Sequence, residues 1–195
     1  MKDLVKNGVL GECIAHVYVV EYQKRGLPHA HILIWLKQRD KPTTMEMVDR
    51  LVTAEIPDPV KNAKLHELVK KHMLHTPCSG NCFDPNANHP CLIDGKCHPR
   101  YPKEFLLKTH VQKNKFARLK RTPPKNGGHV FHWKKKDGTH VDIASEWVVE
   151  YNPWLLLKYN CHLNIQIVSF CNVIKYTLKY FTKGHDMTSV ALHAT

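Results

Sequence analysis

Val19-Val20-Glu21-Tyr22-Gln23-Lys24-Arg25-Gly26-Leu27-Pro28-His29-Ala30-His31-Ile32-Leu33-Ile34-Trp35-Leu36 is the stretch on which the reading of this chain turns. Ile14 to Tyr22 and His29 to Leu36 have the β-branched and aromatic content of two strands, and the segment from Gln23 to Pro28 supplies the turn. Folded as an antiparallel hairpin around Gly26, odd-numbered residues of both strands share a face. Glu21, Gln23, His29 and His31 then cluster near the turn, with Val19, Leu33 and Trp35 further in. The opposite face carries Val20, Ile32, Ile34 and Leu36, which can pack under helices.

Two histidines one residue apart on a strand point to the same side, so both imidazoles can face one metal ion. A carboxylate and an amide beside them make an open divalent-metal site able to polarise a phosphodiester. Histidine favours manganese or another transition ion, whereas abundance favours magnesium. Glu21 and Gln23 compete as the third ligand, and the hairpin admits both.

The whole chain has 195 residues, enough for a sizeable core in one domain or one domain with an insertion. Its 43% hydrophobic and 24% charged residues are those of a globular rather than a disordered chain. No apolar run approaches the roughly 20 residues of a membrane span. The N-terminal stretch, broken by Glu12 and His16, does not read as a secretory signal. These features predict a soluble intracellular protein with no membrane partner. The net charge of +12 is uneven: thirteen Lys and Arg lie between Lys96 and His140 against only Glu104 and Asp137. Such a segment suits phosphate backbones, without sequence preference.

Further along, Thr43 or Thr44 is expected to cap a helix from Met45, with Met47, Val48 and Leu51 in its apolar stripe. A second helix is expected from Ala63 to Met73 through Leu65, Leu68, Val69 and Met73. Val130 to Trp133 and Thr139 to Ile143 read as a short hairpin around Asp137-Gly138, and Asn164 to Val168 as another strand. From about Asn172 to Lys183 the pattern is helical, with Gly184 as C-cap.

His75, Cys78, Cys91 and Cys97 follow the pattern H-x2-C-x12-C-x5-C, one imidazole and three thiols suited to a tetrahedral structural zinc. Cys82, His72, His89 and His98 are replacement ligands. Cys13, Cys161 and Cys171 sit in apolar surroundings and read as small buried hydrophobes. In the last helix Tyr176 and Tyr180 are four residues apart and share a face, beside a row of Lys175, Lys179 and Lys183. A phenol with its usual pKa near 10 needs help from a metal, a base or nearby cations to attack phosphorus.

Together, VVEYQKRGLPHAHILIWL (Val19 to Leu36), HMLHTPCSGNC with PCLIDGKCHPRYPKEF (His72 to Phe105), WVVEYNPWLLLKYNCHLNIQIV (Trp147 to Val168) and IKYTLKYFTKGHD (Ile174 to Asp186) resemble the replication-initiator nuclease part of Helitron transposases, the Helitron helicase-like N-terminal domain. The resemblance implies a two-tyrosine HUH endonuclease of rolling-circle transposition. His29 and His31 would hold magnesium or manganese, and Tyr176 and Tyr180 would be the nucleophiles, aided by Lys179 or Lys183. Such an enzyme nicks single-stranded DNA, keeps the 5′ phosphate on tyrosine and frees a 3′ hydroxyl.

The implied fold is α+β, an antiparallel-sheet HUH-like core with packed helices and an inserted zinc-knuckle-like segment holding His75, Cys78, Cys91 and Cys97. Residues 1–71 would form the first part of the core, 72–105 the zinc-like insertion, 106–146 a basic connection and 147–195 the rest of the core. The family's upstream core block and its helicase domain lie outside this sequence, so a core incomplete at its N-terminus is expected. Glu150 stands where the family usually has proline, and the family's arginine before that block is not recovered in ASEW. The partner expected is single-stranded DNA at transposon ends, and the location the nucleus if the host is eukaryotic. The alternative is a zinc-stabilised nucleic-acid-binding remnant without catalysis.

Overall fold

The computed structural model describes residues 1–22, 28–75, 92–93, 96–97, 99–111, 116–134, 138–168 and 187–192. The expected tyrosine helix and its Gly184 cap lie outside them. The described residues form a mixed α+β structure of small antiparallel sheets and short helices. They fall into two compact units, Met1–Thr43 with the described part of Val168–Thr195, and the described parts of Thr44–Gln112 and Phe116–Ile167.

The first unit begins with a helical turn, α1 (Lys2–Val5), followed by β1 (Cys13–Tyr22) and β2 (Pro28–Leu36). The two strands pair antiparallel with Glu21 opposite His29, Val19 opposite His31 and Val17 opposite Leu33, so odd residues meet odd residues as the alternation predicts. A register shift between Cys13 and Ala15 marks where the pairing starts. A further strand, β7 (Met187–Leu192), pairs antiparallel with β1 from Ala15 to Val20, giving the order β2-β1-β7. That strand was not anticipated from the sequence.

The two faces of the hairpin are covered to different degrees. Val17 and Val19, on the odd face with the histidines, are buried, and Val19 is only 1% exposed. Ile32, on the opposite face, is exposed, and Val20, Ile34 and Leu36 are only partly covered. Both faces carry aliphatic residues, so alternation defined the faces but could not choose which one the tertiary structure covers.

In the second unit α2 (Met45–Leu51) starts at Thr44, whose hydroxyl accepts from the Met47 N–H at 3.3 Å. Its Val48 packs with Val52, Ala54 and Leu119, and with the partly buried Leu51, Ile165 and Ile167. Helix α3 (Ala63–His72) buries Val69, which joins Ile56, Met73, Trp147, Val148 and Leu156 in the larger core. The residues β3 (Leu92–Ile93) and β4 (Lys96–Cys97) pair briefly. The expected hairpin appears as β5 (Phe131–Lys134) and β6 (His140–Ile143), with Gly138 at φ +86°, a conformation in which a Cβ would be strained.

Two readings are corrected here. Asn164 to Val168 forms no strand: one bond, from the Ile165 N–H to the Glu150 carbonyl at 3.0 Å, anchors it. Its Ile165 and Ile167 alternate as a strand's would because both pack beside α2, not because a ladder exists. Cys161 is exposed rather than buried, since it directly follows the left-handed Asn160 that ends helix α4 (Pro153–Tyr159). That helix is capped by Asn152, whose side chain accepts from the Leu155 N–H at 2.8 Å, and Pro153 occupies its first turn. Among the described residues, no helix is long and apolar enough to cross a membrane.

Candidate functional site

The histidine pair lies at one end of the three-stranded sheet. The described part of β7 pairs with β1 from Ala15 to Val20, and Glu21 is the next residue of β1. His29 is directly opposite Glu21, while His31 is its diagonal neighbour on the same face. The diagonal brings Nε2 of His31 to 3.6 Å from Oε2 of Glu21, both side chains being about one-quarter exposed. The two imidazoles stand edge to face, with ring centroids 4.7 Å apart. His29 is exposed and His31 partly buried, so the pair is open to solvent on one side and backed by buried Val19 on the other.

Two donors of one cation, each about 2.1 Å from it, lie roughly 3.0–3.5 Å apart. The Glu21–His31 spacing is close to that, and too long for a hydrogen bond. Carboxylate and imidazole are also a suitable donor set for manganese or magnesium with open positions. Gln23, the competing third ligand, lies outside the described residues, as do Tyr176, Tyr180, Lys179 and Lys183. Among the described residues no three metal-ligating side chains converge in one shell.

A second grouping lies in the other unit. Met73 to His75 pairs with the chain at Trp147 to Val149: the His75 N–H donates to the Trp147 carbonyl at 2.8 Å, and the Val149 N–H to the Met73 carbonyl at 2.6 Å. The His75 ring stacks on Tyr101 at 4.3 Å between centroids, and Tyr101 is followed by Trp147 at 6.4 Å. With its ring oriented in this way, Nε2 of His75 lies 3.3 Å from Sγ of Cys97. Ligands of one tetrahedral zinc, with Zn–S about 2.3 Å and Zn–N about 2.0–2.1 Å, are separated by about 3.6 Å. Two members of the expected zinc set, 22 residues apart in sequence, are thus brought into hydrogen-bond contact, slightly closer than that ligand spacing. Cys78 and Cys91 lie outside the described residues. Burial, with Lys103 and His162 nearby, holds the His75 imidazole below its usual value and so favours the neutral, ligating form.

Sequence reading missed a third grouping beside this one. Arg121, 3% exposed, donates through Nη1 to the Ser145 carbonyl and to the Val148 carbonyl at 2.7 Å. Its Nη2 is 3.8 Å from the Glu150 carboxylate and has no hydrogen-bond partner. Burial raises the Glu150 carboxyl above its ordinary value, against the pull of Arg121 and Lys103. Burial also pushes the Tyr101 phenol up to about 12 and lowers the Lys103 ammonium. Arg121 had counted only as one charge of a basic segment; no local pattern marks a cation destined for the interior. Glu150 carried the one visible signal, as a charge within the otherwise apolar WVVEYNPW.

No curated protein matches this chain in sequence. Residues 1–34, which contain α1, β1 and β2 through Ile34, and hence Glu21, His29 and His31, match the family described as Helitron helicase-like domain at N-terminus. The histidine-bearing end of the chain is therefore similar to the corresponding part of Helitron-related proteins.

Proposed function

We propose that this chain is a single-stranded DNA endonuclease and strand transferase of the rolling-circle, Helitron type. The observation that carries the reading is His31 beside Glu21, with His29 edge-on, at the open end of an antiparallel sheet within the segment similar to the Helitron family. A divalent ion, magnesium or manganese, held by His29 and His31 with Glu21 or Gln23, would supply Lewis-acid polarisation of a phosphodiester.

The remaining chemistry belongs to the chain. In this proposal the Tyr176 or Tyr180 phenol oxygen attacks phosphorus, the new O–P bond forms as the P–O3′ bond breaks, and the departing 3′ oxygen takes up a proton. Lys179 or Lys183 would stabilise the phenolate or the phosphate charge. The phosphotyrosine preserves a phosphodiester's reactivity, so a later 3′ hydroxyl can reverse the step and complete transfer. A partner helicase domain, normally part of the same protein in this family, would supply the single strand, with the work done in the nucleus of a eukaryotic host.

The test is incubation with a labelled oligonucleotide and Mn²⁺ or Mg²⁺, followed by denaturing electrophoresis. A covalent adduct that disappears in a Tyr176→Phe, Tyr180→Phe double variant is the expected result. An adduct that persists in that variant rejects the nucleophile assignment. The second reading is a zinc-stabilised nucleic-acid-binding module without catalysis, in which His75 and Cys97, 3.3 Å apart, would share a zinc completed by Cys78 and Cys91. It predicts salt-sensitive DNA binding, bound zinc, and no adduct with either metal.

A further inference from the structure

The second unit contains a cleft of about 550 Å³, within the size range of sites that hold a nucleotide-sized group. Four cations line it, Arg100, Lys103, Arg118 and Arg121, against two carboxylates, Glu104 and Glu150, which leaves a surplus of two positive charges. The four play different parts. Arg121 is a fixed charge, held by the Ser145 and Val148 carbonyls beside Glu150. Arg118 is paired with Glu104.

Arg100 is exposed at the rim, and the half-buried Lys103 donates one ammonium proton to the Pro99 carbonyl at 2.7 Å with its ammonium 4.7 Å from the centre of the Tyr101 ring, on a group that has three donors in all. On the cleft wall, Phe116 is 42% exposed. An exposed aromatic ring lining the same cleft as these cations matches the needs of a single nucleic-acid strand: phosphate for the cations, an unstacked base for the ring. A duplex meets only half of these, because its base faces are already stacked.

We propose that this cleft is a second contact for single-stranded DNA, taking one phosphate on Arg100 and Lys103 and stacking the adjoining base on Phe116. The proposal deepens the functional reading above, from which it takes the identity of the strand, but it does not depend on the histidine hairpin. The negative charge of Glu150 is answered within the protein by Arg121, and that of Glu104 by Arg118, so neither leaves the cleft without its surplus.

The experiment measures affinity of the full chain for a fluorescent single-stranded oligonucleotide across a salt series. Arg100→Asn keeps a residue tolerant of the φ of +58° found there, and Lys103→Gln keeps a donor for Pro99. Their combination is expected to flatten the log–log salt slope by about 0.7, the value for one phosphate contact on a single strand. Phe116→Ala is expected to leave that slope unchanged and weaken binding roughly 5- to 150-fold, and to have no effect on an oligonucleotide whose bases are replaced by abasic sites. Unchanged slope and unchanged affinity in these variants, each verified as folded by thermal unfolding, overturn the proposal and leave the nicking reading intact. Normal strand binding with these dependences, but no covalent adduct, supports the cleft and rejects the nicking reading instead.

Discussion

The histidine hairpin and the second unit solve opposite problems. The hairpin presents its polar groups at a sheet end: Glu21 and His31 are partly exposed, 3.6 Å apart and not hydrogen-bonded to each other. The second unit buries polar groups and ties several of them down. Tyr151, 1% exposed, donates from its hydroxyl to the Glu55 carbonyl at 3.0 Å, Asn152 donates to the Leu51 carbonyl at 2.8 Å, and Arg121 holds two carbonyls. A buried donor without an acceptor costs about 1–3 kcal/mol, so these groups stay where their partners are. Partly exposed groups such as Glu21 and His31 are spared that constraint. The difference teaches which polar groups this molecule fixes in its core and which it leaves accessible to solvent.

The largest expected effect lies in the second unit. Leu156 is fully buried in its core, and Leu156→Ala should cost about 2–5 kcal/mol, read as a lowered midpoint in chemical denaturation. A loss below about 1 kcal/mol would break the contrast by showing that this core is not what holds the unit. Next comes zinc. If His75 and Cys97 share an ion, its removal by a chelator should withdraw about 4 kcal/mol at free zinc 1,000 times its dissociation constant, and Cys97→Ser should make the chain insensitive to the chelator. Equal thermal unfolding with and without chelator, in a preparation shown to contain zinc, would sink the shared site.

His31→Ala sharpens the other side of the comparison. It should reduce adduct formation about 10- to 100-fold, as loss of a metal ligand or its support does, while moving unfolding by less than about 0.5 kcal/mol. A large loss of stability would mark His31 as a packing residue.

The smallest effect is a pH dependence. Glu150 has a native pKa raised by burial, so its contribution is complete below the ordinary value of 4.5 and lost as pH rises through the raised native value. Glu150→Gln should therefore flatten the decline of stability above about pH 4.5, measured by urea unfolding from pH 4 to 8. Parallel curves for the two proteins would mean that Glu150 is not desolvated as its surroundings imply.

Local patterns carried much of the fold because their causes are local. Alternation and a Gly-containing turn segment were enough to pair β1 with β2 antiparallel with odd residues on one face, although the observed register, Glu21 opposite His29, is centred one residue before Gly26, and Thr44 and the Leu65–Met73 spacing located α2 and α3. Helix α4 escaped notice because Trp154-Leu155-Leu156-Leu157 is a continuous apolar run with no period to read, although Asn152-Pro153 was a start signal. Strand β7 escaped because a six-residue segment 167 to 177 positions beyond its partners in β1 shows its role only through that distant pairing. At the candidate sites, the identities of His29, His31, His75 and Cys97 could be proposed from residue type and spacing. The Arg121–Glu150 pair could not, since a charged side chain looks the same in sequence whether solvent or a carbonyl awaits it.

The sequence by itself determined the strand alternation that puts Glu21, His29 and His31 on one face, the helix starts, and the cysteine and histidine spacing that suggested zinc. Only the tertiary structure decided that the histidine-bearing face is the one with the buried valines, that His75 meets Cys97 at 3.3 Å, and that Arg121 is drawn inside beside Glu150. Periodicity and capping act over one turn or one strand, and the chain records them directly. Burial and the approach of distant side chains depend on which surfaces meet, and that is settled by the sum of the packing.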